Sequence, residues 1–96
     1  MRNVVFVTYD ICEDKRLREV YRFLRGRGDH IQYSVFRCVL SKCERAELIA
    51  GLAELIQHGV DQVLLIDAGP TDGRGATSVE SIGRPFVTLT RRVVIV

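Results

Sequence analysis

The sequence has no long apolar run, no internal repeat and no low-complexity segment. No apolar stretch approaches the roughly 18 to 20 residues that a membrane-spanning helix needs, so we expect no membrane association. The amino end turns polar too soon for a secretory signal, and we expect a cytoplasmic protein. With 47% hydrophobic and 27% charged residues, the composition is that of a globular domain rather than a disordered chain.

Cysteine is scarce and lacks the spacing of a known site. Cys12, Cys38 and Cys43 are odd in number and contain no CxxC pair, which argues against a disulfide framework. A zinc site that adds His30 and His58 can be drawn, but these spacings match no common zinc motif. We therefore expect reduced thiols that act mainly as small hydrophobic side chains.

The common phosphate-binding and nucleophilic motifs are also missing. The glycine-rich stretch 69–75 has no GxxxxGK[ST] pattern, and Ser78 stands where GxGxxG needs its third glycine. A connector is the better interpretation, with Arg74 as a possible phosphate contact. No Ser/His/Asp or Cys/His arrangement is indicated.

What the chain does contain is an uneven charge distribution behind a net charge of only +2. Between Lys15 and Arg27 there are six basic residues and one acidic residue, Glu19. Arginine predominates, and its planar guanidinium suits bidentate contact with phosphate. This helix is either a solvated surface or a binding surface for nucleic acid or another polyanion.

The pattern of apolar residues predicts alternating strands and helices. Residues 4–9 form a β-branched and aromatic run typical of a central buried strand. Leu17, Val20, Tyr21 and Leu24 then share one helical face, which Asp14 would cap. Residues 31–40 are strand-like again, as one bent strand or as two short strands with a turn near Ser34.

The second half of the chain repeats this alternation. Ser41 and Glu44 form a capping box that opens a second helix, which Gly59 ends. Residues 62–67 form another buried strand, and 68–83 form a loop. Residues 86–89 and 93–96 are short apolar runs that could each form a strand.

This order predicts one α+β domain over residues 1–96, with a core of about 1–68 and a loop and dimer-associated segment of about 69–96. The fold class is a ferredoxin-like βαββαβ sandwich with an additional carboxyl-terminal strand. Both helices cover the same face of the sheet. We therefore expect a homodimer in which the sheets face each other and the apolar tail 93–96 adds to a sheet edge.

Asp10 is the best single candidate for chemistry. It ends the first strand, and Glu13 and Asp14 follow on the connecting turn. Carboxylates are ligands that Mg²⁺ prefers, and a bound ion can activate water against a phosphodiester. Acidic residues at this point are also common helix caps. One acidic residue per chain gives a metal ion few ligands. A second copy that brings two Asp10 side chains together would complete the site.

Several strings resemble the family of CRISPR-associated protein two, the small subunit of the CRISPR spacer-acquisition machinery. They are Tyr9-Asp10-Ile11, the arginine-rich helix, Gln32-Tyr33-Ser34-Val35-Phe36, and Ser78–Gly83 with the terminal Val-Ile-Val. The resemblance covers essentially the whole chain. It implies a ferredoxin-like homodimer that exchanges a carboxyl-terminal strand, and it departs from the family pattern in the long loop 69–77.

The resemblance also implies roles for individual residues. It makes Asp10 the catalytic and Mg²⁺-binding residue, paired across the two-fold axis. It makes arginines of the first helix phosphate contacts, and it places three residues near the site or the dimer interface. The arginines are Arg16, Arg18 and Arg22, and the residues near the site are Tyr9, Ser34 and Phe36.

Three functions follow, of which the first two are not exclusive. The first is a CRISPR adaptation protein, a homodimer that binds nucleic acid and partners the CRISPR integrase in spacer acquisition, with metal-dependent endonuclease activity on RNA or double-stranded DNA. The second is a non-catalytic scaffold that binds DNA and bridges two dimers of the CRISPR integrase. The third is a ferredoxin-like domain that senses a small molecule, since fold alone does not choose function. The arginine-rich helix argues against the third.

Overall fold

The computed structural model describes residues 1–86 and shows six main elements in the order β-α-β-β-α-β. They are β1 (Asn3–Asp10), α1 (Asp14–Arg25), β2 (Gly28–Gln32), β3 (Val35–Leu40), α2 (Lys42–Leu55) and β4 (Gln62–Pro70), followed by a short 3-10 helix at Arg74–Thr77. The predicted runs at 86–89 and 93–96 lie outside the described residues, apart from Phe86.

The four strands form one antiparallel sheet in the order β2-β3-β1-β4. This strand order confirms the predicted ferredoxin-like fold. The apolar run at 4–9 lies in β1, which pairs with β3 on one side and β4 on the other, as expected of a central strand. The segment 31–40 divides into two strands, because the turn at Tyr33 and Ser34 reverses the chain.

Both helices pack on one face of the sheet. Their buried residues share a single hydrophobic cluster with alternate residues of β1 and β3. Because neighbouring side chains of a strand point to opposite faces, the intervening residues of β1 lie on the other face. The cluster contains Val20 and Leu24 of α1, Leu48 and Leu52 of α2, Val5, Val7 and Tyr9 of β1, and Phe36, Cys38 and Leu40 of β3.

The helix ends follow local hydrogen bonds. Glu13, rather than the predicted Asp14, caps α1, since its carboxylate accepts a hydrogen bond of 3.1 Å from the Arg16 backbone N–H. The capping box of Ser41 and Glu44 is present as predicted. Helix α2 ends at Leu55, before the predicted stop at Gly59, because the next residue is already extended.

The segment after β4 folds over part of the helix-free face. Gly75 of the 3-10 helix is buried against Val4, and an added Cβ there would lie 2.7 Å from a Val4 methyl carbon and 2.6 Å from the carbonyl oxygens of Gly69 and Pro70. Only glycine fits this close approach. The segment therefore covers the end of the face that lies farthest from Asp10.

Candidate active site

Asp10 is exposed at the last position of the central strand β1. It lies opposite Gln62 of β4, and two residues earlier Thr8 lies opposite Leu64. Side chains alternate along a strand, so Asp10 shares the helix-free face with Thr8 and Phe6, whereas Tyr9 points into the core. The carboxylate is thus presented on the face that neither helix covers.

The metal prediction fits Asp10 only in part. Within residues 1–86, no group of three or more His, Cys, Asp or Glu side chains is placed to hold a metal ion. Mg²⁺ keeps several waters and is usually bound by one or two carboxylates plus substrate phosphates. Asp10 supplies one exposed carboxylate at this point, so the residues fit part of such a site.

Apolar residues of β1 and β4 share the helix-free face with Asp10. Leu64 is 49% exposed and Ile66 is 52% exposed, and both lie opposite β1 residues of the same face. Phe6 lies between Ile66 and Arg37. The Nη1 atom of Arg37 is buried and has no hydrogen-bond partner among the described residues. When one face of an antiparallel sheet is in contact with solvent, that face normally carries polar side chains. The helix-free face therefore exposes more apolar surface than is usual for a face in water.

Asp61 forms a buried anchor that the sequence analysis missed. Its carboxylate accepts hydrogen bonds from the backbone N–H of Cys12 at 2.9 Å and of Gln57 at 2.8 Å, and from Arg16 Nε at 2.8 Å. The Asp61 side chain has no exposed surface. The Arg16 guanidinium and the Cys12 N–H hold the pKa of Asp61 well below its usual range.

This anchor fixes the turn that follows Asp10. Residues 11–13 connect Asp10 to α1. The Cys12 N–H in this turn and the Arg16 side chain in the first turn of α1 both donate hydrogen bonds to Asp61. No local pattern signals the contact, because 45 residues separate Arg16 from Asp61. Asp61 is therefore a positioning residue for the candidate site rather than part of its exposed surface.

The three predicted phosphate-contacting arginines fall into two classes. Arg16 bonds Asp61 and also lies 3.5 Å from Glu13, so its charge is already neutralised within the fold. Arg18 and Arg22 are exposed on α1. Within the described part of the chain, neither of these two side chains forms an ion pair or a hydrogen bond. Their spacing of four residues places them on one side of the helix. A free basic surface is thus provided by Arg18 and Arg22.

Tyr9, Ser34 and Phe36 also have different environments. The Tyr9 hydroxyl donates to the Tyr33 carbonyl at 3.4 Å, and the Tyr9 backbone N–H donates to the Ser34 carbonyl at 3.1 Å. These bonds place the β2–β3 turn at the same end of the sheet as Asp10. Phe36 has no exposed surface and packs against Tyr9 and Tyr21. Phe36 is thus a core residue that supports Tyr9, and its place near the site or interface stays a prediction.

A pocket of about 480 Å³ opens beside this turn. It brings together four of the residues that the sequence singled out, while Asp10 lies on the opposite face. Its lining consists of Tyr9, Leu17, Arg18, Tyr21, Arg22, Tyr33 and Ser34.

Comparisons with known proteins agree over most of the chain. The family model described as CRISPR associated protein Cas2 matches residues 3–72. The chain is 34% identical over 96 residues to the CRISPR-associated endoribonuclease Cas2 of Geobacter sulfurreducens, covering 100% of both chains. It is 39% identical over 90 residues to the CRISPR-associated endoribonuclease Cas2 1 of Rhodospirillum rubrum, covering 94% of this chain and 87% of the relative.

Solved structures show the same fold. A crystal structure of Streptococcus pyogenes Cas2 at pH 6.5 matches with a TM-score of 0.72 and 28% identity, covering 83% of this chain and 99% of that one. A hypothetical protein from Thermus thermophilus matches with a TM-score of 0.78 over 92% of this chain and 99% of that one, and its 24% identity supports the fold alone. Over residues 1–86, none of the helices has the length and apolar character to cross a membrane.

Proposed function

Because the chain belongs to the Cas2 family of CRISPR-associated proteins, we propose that it acts in CRISPR adaptation as a homodimeric, Mg²⁺-dependent endonuclease. The resemblance drawn from the sequence to CRISPR-associated protein two is thereby confirmed. The curated relatives are named endoribonucleases, and RNA or double-stranded DNA is the proposed substrate. Asp10 is the proposed catalytic residue.

The observation that supports this proposal is the position of Asp10 beside an uncovered apolar surface. Asp10 lies on the helix-free face, which it shares with the half-exposed Leu64 and Ile66. A two-fold interface uses the same patch on both subunits. A second copy docked on this face buries Leu64 and Ile66, and it brings its own Asp10 toward the first. Burial of apolar area stabilises such a dimer by about 25 cal/mol per Å² removed from water, before the cost of association.

Each residue then has a defined task. The two Asp10 carboxylates would hold the ion, which lowers the pKa of a bound water and offsets negative charge on the phosphodiester. Asp61 keeps the turn after Asp10 in place through Cys12 and Arg16. Arg18 and Arg22 bind flanking phosphates and orient the nucleic acid.

The scaffold function is the second candidate, and it has its own support. Arg18 and Arg22 lie on α1, on the opposite side of the sheet from Asp10, and both are free to contact phosphates. A dimer carries two such helices on its outer surfaces. In this proposal the dimer binds duplex DNA along these helices and bridges two dimers of the CRISPR integrase, with no need for Asp10 chemistry.

Cleavage assays with a matched pair of variants test the enzyme proposal. Asp10→Asn removes the charge with little change in shape, and Asp72→Asn makes the same change on an exposed loop. Purified proteins are incubated with labelled single-stranded RNA and duplex DNA, with Mg²⁺ or with EDTA. We expect cleavage by the wild type and Asp72→Asn in Mg²⁺, and none by Asp10→Asn.

The outcomes separate the two functions. Cleavage that persists in Asp10→Asn contradicts the proposed active site. A wild type that cleaves neither substrate, but binds duplex DNA and co-purifies with the integrase as well as Asp10→Asn does, supports the scaffold instead.

A further inference from the structure

The pocket beside the β2–β3 turn has the composition of a nucleotide site. Its volume of about 480 Å³ lies within the roughly 300–1,000 Å³ of small-ligand sites. We propose that it binds one unpaired base of a nucleic acid, with Arg18 and Arg22 holding the adjacent phosphates. This inference rests on the proposed binding of nucleic acid, and it adds a preference for single-stranded segments.

Aromatic side chains supply the stacking surface. Tyr33 is 95% exposed at the rim, although most large aromatic side chains in a fold this small are covered. Tyr21 is held in place from behind, because its ring meets those of Phe36 and His30 edge-on at 5.5 Å and 5.1 Å between centroids. Bases stack on such rings regardless of sequence, since every base has a π face. The pocket therefore offers one fixed ring and one exposed ring.

The polar groups of the pocket also suit a nucleotide. Arg18 and Arg22 add two positive charges at the rim, and neither is neutralised by another side chain of residues 1–86. The Tyr9 hydroxyl donates to the Tyr33 carbonyl at 3.4 Å, so it helps to hold the turn that carries the Tyr33 ring. An apolar lining with cationic edges matches a flat base joined to anionic phosphates better than it matches a neutral apolar ligand.

The pocket is adjacent to the candidate catalytic residue in the chain. Tyr9 lines the pocket and Asp10 is the next residue, so their Cα atoms are about 3.8 Å apart. Their side chains point to opposite faces of the sheet. The pocket and Asp10 therefore lie at the same end of the sheet, on opposite faces. Duplex DNA keeps its bases stacked and paired, and cannot fill the pocket without giving up a base.

Binding measurements on a non-cleaving protein test this proposal. The purified Asp10→Asn protein is titrated in EDTA with short RNA and DNA oligonucleotides that are intact, abasic at one central position, or carry 2-aminopurine there. Stacking on aromatic side chains is worth about 1–3 kcal/mol per base. We expect the abasic oligonucleotide to bind roughly 5- to 160-fold more weakly, and the 2-aminopurine fluorescence to be quenched on binding.

Variants of Tyr33 test whether the affinity difference between intact and abasic oligonucleotides arises at this pocket. Tyr33 is exposed on a turn, so its replacement should not impair folding. Tyr33→Ala should reduce the difference between intact and abasic oligonucleotides and weaken the quenching, whereas Tyr33→Trp, which keeps an aromatic ring, should retain both. Comparison of the RNA and DNA arms shows which sugar the site accepts.

Failure of the proposed base pocket can be distinguished from failure of the proposed nuclease function. Equal affinity for intact and abasic oligonucleotides, with duplex binding preserved, overturns the base pocket and leaves the proposed function intact. A base effect that survives in Tyr33→Ala without change likewise overturns it. A base effect in a protein whose wild type never cleaves supports the pocket and contradicts the nuclease.

Discussion

Glutamine substitutions of Arg16, Arg18 and Arg22 should have different effects, although the sequence gives all three the same appearance. Arg18 and Arg22 are exposed and free among the described residues, whereas Arg16 is paired with Asp61. The affinity for duplex DNA falls as salt rises, and each phosphate contact adds about 0.9 to the magnitude of the negative slope of log K against log salt. We therefore expect Arg18→Gln and Arg22→Gln each to reduce the magnitude of that slope by about 0.9, and Arg16→Gln to leave it unchanged.

The double variant gives the largest signal. If one protomer contacts the duplex through both arginines, Arg18→Gln/Arg22→Gln lowers the slope by about 1.8. A rise in salt from about 50 to about 200 mM is a fourfold change, and four to the power 1.8 is about 12. The wild type should thus lose about 12-fold more affinity over this range than the double variant.

Fluorescence anisotropy with a labelled duplex measures these slopes. Arg45→Gln is the matched control, since Arg45 is an exposed arginine on α2, and its slope should equal that of the wild type. Arg16→Gln should instead lower the melting temperature, because it leaves Asp61 buried without its cation. An Arg16→Gln slope that falls as much as that of Arg18→Gln, or an unchanged slope in the double variant, would refute the division of the arginines.

Two further predictions concern the framework of the site. The pKa of Asp61 is held below its ordinary value of 3.8, so its stabilising effect is complete above that pH and is lost as the pH falls toward the lowered pKa. Asp61→Asn should lower the melting temperature at pH 7, and the gap to the wild type should narrow below about pH 4; a constant gap down to pH 2 contradicts this. Gly28→Ala places a Cβ 2.5 Å from Cys38 Sγ, so it should destabilise the fold by about 1–3 kcal/mol. Gly59→Ala, where an added Cβ meets no atom within 4 Å, should not, and equal melting temperatures for the two variants would count against the tight packing at Gly28.

The fold was predictable because its signals are local. The apolar run at 4–9 marks the central strand, and Ser41 with Glu44 marks the start of α2 through hydrogen bonds only three residues apart. The choice of one or two strands over 31–40 depended on the turn at Tyr33 and Ser34. That turn is held by bonds to Tyr9, which is distant in sequence.

At the candidate site, only the exposed residues carry a signal in the sequence. Asp10 ends a strand in a recognisable string, whereas Asp61 acts through contacts that span more than 40 residues. The functional strings also contain residues of both kinds: Phe36 follows the exposed Tyr33 by three positions and yet lies wholly in the core. Tyr33 lies in the turn between β2 and β3, whereas Phe36 lies in β3, and the position of that turn depends on the pairing register of the sheet.

Metal binding to the intact protein tests the central claim that two Asp10 carboxylates share one ion. Mn²⁺, which can replace Mg²⁺ at oxygen sites, is titrated by electron paramagnetic resonance into the wild type, Asp10→Asn and Asp72→Asn, and light scattering gives the mass of each. We expect a dimer that binds one ion per two chains in the wild type and Asp72→Asn, and no such binding in Asp10→Asn. One ion bound per monomeric chain, or the same binding in Asp10→Asn, would contradict it.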